Sequence, residues 1–148
     1  MKTQFVNDKR FYVYAIYIDG VVRYIGKGSG DRLRYHVIEA HRINRRRARG
    51  ANTDATSTKF YRLLAEAIRE GAVVTEEITH PGLTNGEAYR IEKQLIEQMY
   101  AQNPDHLWNS VDERFFGITS ADYNRINKYD LLQKARDNLL NARSQLRR

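Results

Sequence analysis

The sequence predicts an α+β fold: a small three-stranded antiparallel sheet flanked by helices, with a further helix at the C-terminus. Three observations predict it. Residues 11–26 read as two strands joined by Asp19-Gly20, residues 72–79 read as a third strand, and the remaining apolar residues recur at helical spacing. A chain of 148 residues is long enough for a single core. The expected division is a lead-in at 1–10, a compact domain at 11–118 and a charged helix at 119–148.

The first strand, FYVYAIYI, is rich in aromatic and β-branched residues. Asp19-Gly20 suits a two-residue type I′ turn, and residues 21–26 form the returning strand. With those two residues as the loop, Ile18 faces Val21, Tyr17 faces Val22, Ile16 faces Arg23 and Ala15 faces Tyr24. Tyr17, Val22, Tyr24 and Ala15 then share one face, and the two phenols converge. A one-residue slip of either strand would separate them.

Residues 27–30 read as a glycine-rich turn open to a ligand, with Asp31 as N-cap of a helix from Arg32 to about residue 45. Arg32 and His36 are four apart and share a helical face beside Leu33, Val37 and Ala40. Lys27 in such a turn suits phosphate, although the spacing is not that of a P-loop. Residues 42–56 read as a basic loop whose Arg45, Arg46 and Arg47 grip phosphates rather than read bases.

Ser57 or Thr58 caps a second helix with a stripe of Phe60, Leu63, Leu64, Ala67 and Ile68, ended by Gly71 and structural in role. Residues 72–79 supply the third strand, closed by His80-Pro81-Gly82. Thr84-Asn85-Gly86-Glu87 is a capping box that opens a third helix with Ala88, Ile91, Leu95, Ile96 and Met99 on its apolar side. Glu92 falls inside that stripe. A carboxylate there needs a cation, a metal ion or a polar cleft, and an ordinary salt bridge is the plainer alternative. After residue 120, Leu132, Ala135, Leu139, Ala142 and Leu146 form a seam of about two heptads. Docking on the domain, pairing into a homodimer and presenting arginines to nucleic acid all remain open for it.

Composition narrows the function classes. Without cysteine the chain has neither disulfides nor thiolate metal sites, which fits a reducing cytoplasm. No apolar run reaches the length of a membrane span, and no signal peptide is visible. Between Lys27 and Arg49, eight basic residues stand against Asp31 and Glu39, so nearly all of the net +7 is local. A basic block beside a phosphate-suited turn points to a polynucleotide partner.

Ala15-Ile16-Tyr17, Tyr24-Ile25-Gly26, Lys27, Arg32 and His36 together resemble the signature of the GIY-YIG nuclease family, in the version with Gly-Lys-Gly after the second tyrosine. The likeness covers about residues 11–110. A second anchor is residues 90–96, similar to the helix that carries that family's metal-binding carboxylate, followed by Leu107-Trp108-Asn109. Two departures are Ala15 in place of Gly and a short step from Tyr24 to Arg32.

The resemblance implies a metal-dependent DNA endonuclease. In it Glu92 holds one Mg²⁺ (or Mn²⁺), Tyr17 acts as base with Tyr24 in support, Arg32 stabilises the transition state and His36 moves the proton. Lys27, Arg45, Arg46, Arg47 and Asn109 contact substrate, which is duplex or branched DNA. The alternative is a catalytically inactive nucleic-acid-binding module of the same fold. A third reading is an assembly protein organised by its C-terminal helix. The sequence lacks the Glu-x-Lys tripeptide of restriction-enzyme-like folds and any His-Asn-His arrangement with cysteines.

Overall fold

The computed structural model describes residues 8–54, 57–109, 122, 125 and 128–146. The elements run β1 (Phe11–Ile18), β2 (Val21–Ser29), α1 (Arg32–Ala48), α2 (Lys59–Arg69), β3 (Val74–Leu83), α3 (Asn85–Gln102) and α4 (Lys128–Leu146). The three strands form one antiparallel sheet in the order β2-β1-β3, so the expected α+β architecture is present. Expectations that fall on residues 1–7, on Thr56, on the boundary at 118–119, on Ala121 and Arg147, or on the side chains of Leu132 and Leu146 lie outside the described residues.

β1 is central because its side chains are apolar or aromatic on both faces, and each face receives helices. On one face Tyr12, Tyr14, Ile16 and Ile18 pack with Ala40 and Ile43 of α1 and Phe60, Leu64 and Ala65 of α2. On the other, Val13 and Ile25 pack with Ala88 and Leu107, joined by half-buried Ile91, Leu95, Ile96 and Met99 of α3. The α2 and α3 stripes thus face the sheet as their spacing predicts. Thr58 caps α2 by accepting from the Tyr61 amide, and Thr84 and Glu87 form the expected capping box of α3. Gly71 ends α2 with φ 83°, where the amides of Gly71 and Ala72 bond back to Ile68 and Ala67.

The hairpin turn forms at Asp19-Gly20, both with positive φ, and Ile18–Val21 and Tyr17–Val22 pair as expected. Beyond them the register differs from the regular one. Ile16 pairs with Tyr24, Ala15 with Ile25 and Tyr14 with Gly26, because Arg23 is an extra residue bulged out of β2. The bulge is held from outside the hairpin: the Trp108 amide donates to the Arg23 carbonyl at 2.6 Å, and the Arg23 guanidinium donates to the His106 carbonyl and lies over the Trp108 ring.

Three further boundaries differ from the sequence expectation. β2 runs to Ser29, so Lys27 and Gly28 are strand residues paired with Val13 and Tyr12. β3 likewise continues through the expected His80-Pro81-Gly82 stop, accommodated by irregular pairing against Phe11 to Tyr14. α1 extends to Ala48, so Arg45, Arg46 and Arg47 form its last turn rather than a loop. Arginine is a good helix former and is favoured at a helix C-terminus, and Gly50 (φ 90°) supplies the αL stop, so that the helix ends about three residues later than expected.

In α4, Leu131 and Ala135 are buried, Leu139 and Ala142 are half-buried and Leu140 is exposed. Lys134 pairs at 2.8 Å with Asp122, whose carboxylate is buried. Among the described residues no helix is long and apolar enough to cross a membrane.

Candidate active site

The Arg23 bulge decides which tyrosines meet. It moves Tyr24 onto the face of Ile16 and Tyr14, leaving Tyr17 on the opposite face with Ala15 and Val22. There Tyr17 borders a groove of about 240 Å³ with Thr79, Leu95 and Met99. Burial and then the nearby Glu77 carboxylate push its phenol upward in pKa. The expected convergence of Tyr17 with Tyr24 is therefore corrected: Tyr14 stands beside Tyr24, with ring centroids 6.1 Å apart.

Around these two phenols the fold builds a compact polar and aromatic cluster. His36 is 2% exposed, and its Nε2 contacts the Tyr14 hydroxyl while its Nδ1 lies 2.9 Å from the Tyr61 hydroxyl. The Tyr24 ring stacks on Phe60 at 4.2 Å and sits 4.9 Å from the imidazole. Phe60 and Tyr61 both belong to α2, so this helix contributes to the site as well as to the core.

The glycines of the Gly-Lys-Gly stretch admit side chains rather than a ligand's phosphate. A Cβ at residue 26 would stand 2.6 Å from both Cζ and Oη of Tyr14 and 2.8 Å from the Tyr24 ring. One at residue 28 would stand 2.6 Å from Cγ of Arg32. Gly26→Ala is accordingly expected to cost about 1–3 kcal/mol, because a buried, hydrogen-bonded Tyr14 has no free space to move into. Urea denaturation checks this, and a midpoint equal to wild type would show that the two rings are not held at Gly26.

Arg32 opens α1 with its aliphatic stem over Gly28 and its guanidinium 5.1 Å from the Tyr35 ring. Asp31 makes no side-chain cap, contrary to expectation. The Tyr12 hydroxyl does that work: it accepts from the Leu33 amide at 3.2 Å and donates to the Gly30 carbonyl at 2.8 Å. Alternate residues of β1, Tyr12 and Tyr14, thus fix where α1 starts and where its His36 sits.

Electrostatics follow from this burial. Burial, then the neighbouring Tyr24, holds the Tyr14 phenol far above its ordinary range, against the opposing charge of Arg32. Tyr24 is pushed up to about 12 by burial and then by Glu92, with Tyr14 hydrogen bonding and Arg32 pulling the other way. Burial and then Arg32 lower His36 to about 4, so the imidazole is neutral at pH 7. Glu92, half-buried on α3, raises Tyr24, Tyr14 and Lys27 alike, so its charge lies near β2.

The remaining expected substrate contacts are distributed differently. Lys27 is half-buried, lowered in pKa mainly by that burial, and donates to Asn85 Oδ1 at 2.9 Å. It thus links β2 to the start of α3. Asn109 bonds both amide groups to the Ile25 backbone, at 3.1 and 2.8 Å, and so covers the free edge of β2 as a strand would. Arg45, Arg46 and Arg47 are exposed, but successive helical residues diverge by about 100° and the row begins about 20 Å from Arg32. Arg42, Arg45 and Arg49 share one solvent face with Tyr35 and Ile38, while Arg47 points elsewhere.

No family model, curated protein or solved structure matches this chain. Among the described residues no three His, Cys, Asp or Glu side chains cluster as a metal cage. Glu92, the expected metal ligand, is not part of any such cluster.

Sequence reasoning missed Tyr14 and Tyr61. Tyr14 carried a signal: with Tyr12 and Ile16 it belongs to the alternating set that faces the aromatic helix, and it lies two residues from Ile16 on the same side. Tyr61 carried none, since its neighbour Phe60 claims the apolar stripe and only the α1·α2 packing brings its hydroxyl to the imidazole.

Proposed function

We propose that this protein is a metal-dependent endonuclease that hydrolyses phosphodiester bonds in DNA, with Tyr14 in the role the resemblance assigns to Tyr17. The observation that carries this reading is one buried cluster joining Tyr14, Tyr24 and His36, with Arg32 and Glu92 in electrostatic reach. Packing alone does not call for a neutral histidine bonded to a fully buried phenol, with a cation and a carboxylate beside it.

In this mechanism both phenols are protonated at rest. Tyr14 accepts the proton of the attacking water as it gives its own to His36, and Tyr24 holds the geometry by hydrogen bonding to Tyr14. Arg32 stabilises the added negative charge on the phosphoryl group, worth about 100-fold or more in rate for a fixed donor. Glu92 would hold Mg²⁺ (or Mn²⁺), which when bound supplies positive charge to the phosphate and the leaving oxygen. The exposed arginines of α1 give salt-sensitive affinity for duplex or branched DNA. Within the GIY-YIG resemblance, Tyr12-Val13-Tyr14 then takes the place of Ala15-Ile16-Tyr17 as the first motif.

Supercoiled plasmid incubated with the protein and Mg²⁺ or Mn²⁺ is expected to be nicked. Arg32→Ala and Glu92→Gln are each expected to lower the rate by about 100-fold or more while leaving DNA binding without metal in place. Salt-sensitive binding with no cleavage in either metal would instead identify an inactive nucleic-acid-binding module. Cleavage that survives both substitutions would place the activity outside this cluster.

A further inference from the structure

His36 carries a phenol on each ring nitrogen, Tyr14 at Nε2 and Tyr61 at Nδ1. A neutral imidazole has one N–H and one lone pair, so one phenol donates to the ring and the other accepts from it. The two phenols are not equivalent. In the free protein Tyr14 is 1% exposed and can place its proton on Nε2 with its oxygen accepting from the Tyr24 hydroxyl, whereas half-buried Tyr61 can accept from the ring and turn its own O–H to water.

We propose that Tyr61 is a positioning residue that holds His36 as the Nδ1–H tautomer and opens a path to solvent for the Tyr14 proton. This rests on the reading of Tyr14 as the group that takes the proton of the attacking water. The O–H bond of Tyr14 breaks as an N–H bond forms at Nε2; the Nδ1 proton passes to the Tyr61 oxygen, and Tyr61 releases its own proton to water. His36 stays neutral throughout, and Tyr14, which takes the proton of the attacking water in the same step, remains a phenol whose oxygen accepts a hydrogen bond from Nε2–H. Run in reverse, the path returns one proton to Tyr14 as the proton of the attacking water goes on to the leaving oxygen, and the ring regains its starting tautomer.

The second phenol matters because the imidazolium is disfavoured. Burial and the charge of Arg32 deny His36 a second proton at neutral pH, so Nε2 can take one only as Nδ1 gives one up. Tyr61 is the hydroxyl within hydrogen-bond distance of Nδ1.

The test is histidine-selective ¹⁵N NMR of the free protein at neutral pH, with the His36 signals assigned by their loss in His36→Gln. Wild type is expected to show His36 protonated at Nδ1 and bare at Nε2. Tyr61→Phe, which keeps the ring against Phe60, is expected to shift the population toward Nε2–H. It is also expected to lower kcat by about 10-fold or more with KM within about twofold. A wild-type ring protonated at Nε2, or a tautomer unmoved in Tyr61→Phe, overturns the proposal. Because the spectra need neither DNA nor metal, the tautomer result decides the role of Tyr61 even if the plasmid stays intact, an outcome that would overturn the nuclease reading instead.

Discussion

Tyr14→Phe is expected to lower plasmid nicking by about 100-fold or more, and Tyr17→Phe to leave it within about twofold. The difference follows from one bulged residue. With Arg23 outside the ladder, Tyr24 pairs beside Ile16 and its ring falls on the side of Tyr14, His36 and Phe60. Tyr17 faces α3, where its hydroxyl is coupled to Glu77 and lies on the far side of the sheet from the imidazole. Phenylalanine at 14 keeps the ring packing that fills the space over Gly26 and deletes only the hydroxyl. A loss of rate with unchanged urea midpoint therefore reports chemistry rather than folding. Equal activity of the two variants, or a larger loss at Tyr17, would show that the working register is the regular one.

The protein is also expected to lose stability as pH falls from about 6.5 toward 4, through His36. Its ordinary pKa of 6.5 drops to about 4 in the folded state, by burial and then by Arg32. Between those values the unfolded chain binds the extra proton and the native state does not. The contribution is thus complete above 6.5 and lost on acidification. At about 1.4 kcal/mol per pKa unit the loss approaches about 3 kcal/mol. Urea denaturation of wild type and His36→Gln at pH 7.5 and 4.5 isolates it, since carboxylates titrate alike in both. Midpoints that fall in parallel would mean that the native imidazole protonates as readily as the unfolded one.

The legibility of this chain varied with how local each feature is. The capping box at Thr84 and Glu87, the stripes of α2 and α3, the Asp19-Gly20 turn and the Arg32/His36 pair depend on residues within about four positions, and the spacing of the residues shows them. Gly28, expected in a turn open to a ligand, lies in β2, because a missing side chain signals close approach without saying of what. At 26 and 28 the approaching groups are Tyr14, Tyr24 and Arg32. Asp31 looked like the natural cap, yet a tyrosine from β1 holds the start of α1, and no local pattern encodes a partner some twenty residues away.

The sequence by itself determined the α+β class, the antiparallel three-stranded sheet, the helical faces and the placement of Arg32, His36 and Glu92 on two separate helices. Only the tertiary structure decided which tyrosine joins them. A strand's side chains alternate at a period of two, so one extra residue reverses every face beyond it. The energy that keeps Arg23 out of line comes from Trp108 and His106, more than eighty residues further along the chain.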